Sequence, residues 1–205
     1  MFGKHISILC VVAVGCLATS GSAIAAQFQA ESAPVNYVGS GPVATPLVFG
    51  TAAGTAQCQT LDLTGTNKFA LSTTAELFPK WGAGSCTIFG VLNQSIQANG
   101  CSFLMSIGTL ISEGTVEILC PPGKVIEILG KSCTVTVGAQ KFKGNTMSYA
   151  NEGSMKTQVF KPTFIVKGML TYTMGKGCPA AETRSDGNLT GTVKVGGGTQ
   201  GVWVG

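Results

Sequence analysis

With 205 residues, a net charge of +4 and only 11% charged side chains, this chain lacks the clustered basic face that nucleic-acid binding requires. Its 7% aromatic content falls short of the paired aromatic girdles of an outer-membrane barrel. The one histidine, His5, stands close to the start.

Residues 1–26 read as a cleavable secretory leader. Lys4 and His5 supply the positive start, Ile6 to Ala18 the apolar run, and Ala23-Ile24-Ala25 the small-residue cleavage site. The run is shorter than the roughly 20 apolar residues of a membrane-spanning helix. Ala13-Val14-Gly15-Cys16 gives a second reading, a loose match to the box that lipidates bacterial lipoproteins at its cysteine. Residues 27–205 are then a secreted β domain with 12 basic residues against 9 acidic ones, Lys4 having gone with the leader. Cys58, Cys86, Cys101, Cys120, Cys133 and Cys178 remain, an even set that pairs in an oxidising compartment. Without histidine there is no Ser-His-Asp or Cys-His arrangement and no imidazole metal site. No metal or cofactor is expected.

From Gln27 onward, short β-branched runs are broken by Gly, Pro, Asn and Asp, the texture of an all-β fold. An antiparallel β-sandwich of two packed sheets is predicted. Pro42 and Pro46 mark an arm leading into it. The nearest approach to a helical period, Ser72 to Phe78, is short and stops at Pro79. Trp81 follows in a turn-rich stretch, where a large ring is less easily buried. It is a candidate for stacking on a sugar or anchoring a partner, beside the plainer reading that it caps one end of the fold.

Asn99-Gly100 is a strong two-residue hairpin signal, since both positions need positive φ. It sets Ala98 opposite Cys101, Ile96 opposite Phe103 and Leu92 opposite Ile107, all on one face. Gly130-Lys131 fits a turn with Gly first, setting Ile128 opposite Cys133 and Ile126 opposite Val135. Cys101, Cys120 and Cys133 alternate with polar residues and share their faces with Phe103, Ile118 and Val135, so they are placed to staple a core. Cys101–Cys120 is the preferred bridge, at the open ends of strands flanking Gly108–Gly114. Cys58–Cys86 and Cys133–Cys178 follow by elimination and chain proximity.

If Thr115–Cys120 pairs with Val125–Leu129, Glu117 lies opposite Glu127, with Cβ atoms about 5 Å apart. Such a pair suits a Ca²⁺ site completed by carbonyls, or a retaining glycosidase. The plainer reading leaves both as solvent-facing strand residues. Gly130-Lys131-Ser132 fails as a phosphate loop because Val125 stands where the first Gly is needed. Arg184, ahead of Asp186-Gly187, reads as a solvated turn residue. Trp203, between Val202 and Val204, reads as core or sheet edge.

Asn99-Gly100-Cys101, Cys120-Pro121-Pro122-Gly123-Lys124, Cys133-Thr134-Val135, Gly177-Cys178-Pro179, Leu189 to Val193 and Val202-Trp203-Val204 span most of the chain after the leader. Together they resemble an uncharacterised family of secreted, threonine-rich proteins from soil actinobacteria. The resemblance implies a secreted, bridged β-fold and brings no activity with it. The functional expectation is a non-enzymatic extracellular or cell-envelope module that binds an extracellular protein or glycan. The alternatives are a secreted inhibitor or effector, and a hydrolase using Glu117 and Glu127.

Overall fold

A computed structural model describes residues 25–41 and 45–205; the leader reading, Cys16 and Pro42 lie outside the described residues. The first strands are β1 (Phe28–Ala30), β2 (Val35–Ser40), β3 (Val48–Thr51), β4 (Gly54–Cys58), β5 (Leu61–Asn67), β6 (Leu71–Ser72) and β7 (Thr74–Trp81). Next come β8 (Cys86–Ile88), β9 (Val91–Gln97), β10 (Ser102–Ile107), β11 (Gly114–Leu119), β12 (Ile126–Leu129) and β13 (Thr134–Val137). The last are β14 (Gln140–Lys141), β15 (Met147–Glu152), β16 (Val159–Met174), β17 (Thr183–Thr192), β18 (Lys194–Gly196) and β19 (Val202–Val204). One 3-10 turn, Met155–Thr157, precedes β16. The segment nearest to a helical period became β7, whose burial alternates strictly from Ala75 to Trp81.

A small sheet has the order β19-β1-β6. The other strands form one continuous sheet, in the order β13-β12-β9-β8-β4-β3-β17-β16-β15-β11-β10-β7-β5-β2-β18, with β14 beside β11. Two further pairings, β13–β16 and β16–β18, close it into two hydrogen-bonded circuits of eight strands each that share β16. The all-β fold with three bridges stands; the expected pair of separate sheets does not. Alternation fixes which face of a strand is apolar, and that is the same whether a sheet stays open or closes on itself.

β16 runs for 16 residues and serves both circuits. Gly168 has φ +64°, and its pairing with β17 shifts register between Val166 and Leu170 and again before Tyr172. Irregularities of this kind bend a strand, and they fall where β16 passes from one circuit to the other. Strands of one circuit contribute Phe49, Ile88, Ile126 and Val135, strands of the other Leu63, Leu77, Met105 and Ile118, and the shared β16 adds Phe160 and Leu170, all essentially inaccessible to solvent within one connected core. The small sheet turns Phe28 inward against Tyr149 and Phe160, with ring centroids 5.4 and 5.3 Å away.

The turn chemistry held where the partners did not. Asn99 and Gly100 take φ of 53° and 85°, and Cys101 N–H donates to Ala98 O at 2.9 Å. Yet β9 pairs with β8 and β12, while β10 pairs with β7 and β11. Ile96 therefore faces Ile128 instead of Phe103, and Leu92 is exposed. Both edges of β10 are occupied, so the turn serves as a passage from one circuit to the other. At Gly130 the hairpin β12–β13 forms two residues out of the expected register, with Ile128 opposite Val135 and Ile126 opposite Val137. Gly130 is not in the left-handed region, so the Gly-first turn does not form. A four-residue turn closes with Gly130 N–H donating to Cys133 O at 3.0 Å. A slip of two preserves the apolar face.

Candidate functional site

The cysteines pair as Cys58–Cys86, Cys101–Cys120 and Cys133–Cys178. Cys58 and Cys86 sit directly opposite each other in β4 and β8. Cys101 and Cys120 flank the Ser102–Leu119 pair at the open end of β10–β11. The third bridge ties the start of β13 to the loop between β16 and β17. Three bridges suit a compartment outside the reducing cytosol.

The proposed carboxylate pair is not assembled. Glu117 faces Leu104 and Lys141 across its two neighbours, with Lys141 Nζ 3.7 Å from its carboxylate. Glu127 faces Thr136 and Gln97 and accepts a hydrogen bond from Asn99 Nδ2 at 3.0 Å. The connection through Pro121 to Gly123 carries the chain from one circuit to the other, so β11 and β12 never pair. Among the described residues no three His, Cys, Asp or Glu side chains converge to hold a metal ion. The cation-site and hydrolase readings thereby lose the residues they named.

Trp81 is likewise no binding aromatic. It ends β7, is only 6% exposed, and packs its ring 5.9 Å from Phe49 and 6.5 Å from Phe103. Phe49 belongs to one circuit and Phe103 to the other, so Trp81 joins the two interiors. Its residue type and turn-rich surroundings suggested exposure, but strand alternation through Leu77 and Pro79 turned it inward. Arg184 is a strand residue of β17 and not a turn residue. Its guanidinium donates to Glu182 at 3.0 Å and grips both oxygens of Asp186. Asp186 also accepts from the Tyr172 hydroxyl at 3.0 Å, which itself accepts from Ala52 N–H. Arg184 and Tyr172 hold the Asp186 carboxyl down at about 2.

A different surface carries outward chemistry. Across β18, β2, β5 and β7, the residues Gly196, Val38, Thr64 and Phe78 lie in register. Val38 is 54% and Phe78 45% exposed. The adjacent row is Lys194, Ser40, Asp62 and Lys80, all outward. Val38 and Phe78 stand two strands apart, about 10 Å. A shallow groove of about 360 Å³ runs between Val38, Asp62, Val159 and Lys194. At its edge Glu152 joins Lys194 at 2.6 Å and Lys161 at 3.1 Å; hydrogen bonds from these ammonium groups lower its pKa. None of these residues announced itself in the sequence, because the row exists only once four strands are paired.

Across β16 and β17 the outward faces are hydroxylic. Thr163–Thr192, Thr173–Thr183 and Thr171–Ser185 meet oxygen to oxygen across β16 and β17 at 3.0, 2.8 and 3.1 Å. This reverses the outward apolar band of a membrane barrel. No helix among the described residues is long and apolar enough to cross a membrane. No protein-family model, curated protein or solved structure matches this chain.

Proposed function

We propose that residues 27–205 form a secreted, non-enzymatic binding module of the extracellular space or cell envelope, released from the leader of residues 1–26. Membership of the secreted, threonine-rich actinobacterial family that the chain resembles would agree with this, and three disulfides favour an oxidising destination. The observation that carries the reading is the exposed row Val38, Thr64, Phe78 beside Ser40, Asp62, Lys80 and Lys194.

A glycan chain suits this face. Sugar rings present apolar C–H faces to Phe78 and Val38, while their hydroxyls meet one carboxylate, two ammonium groups and two hydroxyls in the neighbouring positions. The open outer face of these four strands admits a long ligand, and the groove beside Val38 would seat one ring. Pull-down on insoluble polysaccharides tests the reading. Phe78→Ala should weaken retention about tenfold, the equivalent of roughly 1.4 kcal/mol, and Asp62→Asn should weaken it less. Retention unchanged in both variants, or no polysaccharide retained at all, would sink the glycan reading.

A further inference from the structure

A second apolar surface lies where the chain ends meet, apart from the Phe78 row. Gln27 and Gly205 exchange backbone hydrogen bonds of 2.9 and 3.0 Å. In the small sheet, Gln29 pairs with both Leu71 and Trp203, so these three share its outward face while Phe28, Val202 and Val204 are buried beneath. Leu71 is 57% exposed, and Phe69 in the same connection 69%. The β10–β11 loop stands at the same end, since Ile107 N–H donates to Thr73 O at 3.0 Å and Ala26 N–H to Thr109 O at 3.4 Å. Its tip presents Leu110 and Ile111, 56% and 42% exposed. Four of the nine exposed large apolar side chains among the described residues are thus gathered on one end, which is more than scatter produces on an ordinary surface. Trp203 joins them half-buried, its indole N–H donated to Gln29 Oε1 at 3.1 Å.

What faces this end follows from where the chain enters it. Ala26 is bonded to the loop that carries Leu110 and Ile111, and the apolar run Ile6–Ala18 precedes it. Six residues lie between Ala18 and Ala25, a span of at most about 25 Å of extended chain. Until the leader is cut, a bilayer holding that run is within reach of this end of the fold before any soluble partner. A tryptophan with an apolar ring and a satisfied N–H is the residue type that settles at a membrane–water interface. Lys68 next to Phe69 is set against Glu113 in the loop that carries Leu110 and Ile111, so the attraction to lipid is apolar and not electrostatic.

We infer that this end docks on the surface of a lipid bilayer, with Phe69, Leu71, Leu110, Ile111 and Trp203 at headgroup level. Flotation of the full chain with vesicles of phosphatidylcholine, alone or with a quarter phosphatidylglycerol, tests it. The chain should float with both compositions. The double variants Leu110→Ser/Ile111→Ser and Phe69→Ser/Leu71→Ser should each cut the bound fraction at least threefold. Leu92→Ser, at an exposed apolar site elsewhere, should float like the unaltered protein, as should Phe78→Ala, which keeps this test separate from the glycan reading. In the unaltered protein, brominated phosphatidylcholine should quench Trp203, a readout that does not depend on any variant folding. If the apolar run alone held the protein to vesicles, all variants would float alike and Trp203 would stay unquenched, overturning the inference. Absence of flotation would overturn it too, as would self-association that the loop variants abolish, which would assign this end to a second copy.

Discussion

Trp81 packs against one ring from each circuit, so its loss opens space in both interiors at once. Trp81→Ala should cost about 3–5 kcal/mol, read as a lowered urea midpoint, while polysaccharide retention under native conditions stays unchanged. Trp81→Phe should cost less, because the buried indole N–H has no partner to lose. A Trp81→Ala protein of full stability that no longer bound glycan would return this residue to the binding surface. Asp186 and Glu152 make a pH prediction. Both carboxyls titrate below their ordinary values in the folded chain, so their charged forms are favoured by folding. That contribution is complete above the unfolded values near pH 4 and is lost as pH falls through the folded ones. The melting temperature should fall between about pH 5 and pH 2, and Asp186→Asn should flatten part of that fall. A pH profile identical in the variant would show that the Arg184–Asp186 contact contributes nothing to stability.

At the scale of strands, each bridge fastens elements that pairing has already brought together. Cys101–Cys120 closes a sequence separation of 19, for which restriction of the unfolded chain is worth about 3 kcal/mol. Cys101→Ala/Cys120→Ala should lower stability by that order, measured by urea unfolding against the unaltered protein. An unchanged midpoint would mean that the pairing of β10 with β11 holds this end unaided. This bridge is readable from the sequence because Cys101 and Cys120 lie on apolar faces at the open ends of the strands that flank Gly108–Gly114. The faces of β10, β11 and β13 were readable for the same reason, since alternation is a local property. Neighbours were not. Asn99-Gly100 specifies a turn but says nothing of whether the strands on either side have free edges. A slip of two at Gly130 leaves every apolar residue buried, so the pattern cannot detect it. Glu117 and Glu127 are close in sequence, but the connection between them leads from one circuit to the other, which no local pattern shows.

Closure belongs to the whole molecule, and nothing local encodes it. The exposed row ending at Phe78 gains Lys194 and Gly196 from β18, the strand that also pairs with β16 and so closes the second circuit. The long strand β16 is also the reason to expect the circuits to fold as one body. It buries Phe160 against Phe28 and Tyr37 toward one end and Leu170 toward the other, while Phe164 between them packs 5.3 Å from Phe103. Neither circuit can lose β16 without opening the other, and neither has an edge-free sheet once it opens. Unfolding should therefore be a single transition, coincident by far-UV circular dichroism and by tryptophan fluorescence. Leu170→Ala and Phe160→Ala should each lower that one transition, by about 2–5 kcal/mol. Amide exchange should lose protection in strands of both circuits in either variant, because the opening that exposes one exposes the other. A Leu170→Ala protein with two transitions, of which only the first had moved, would show that β16 joins two independent units and that the Trp81 contact between the interiors is too weak to couple them.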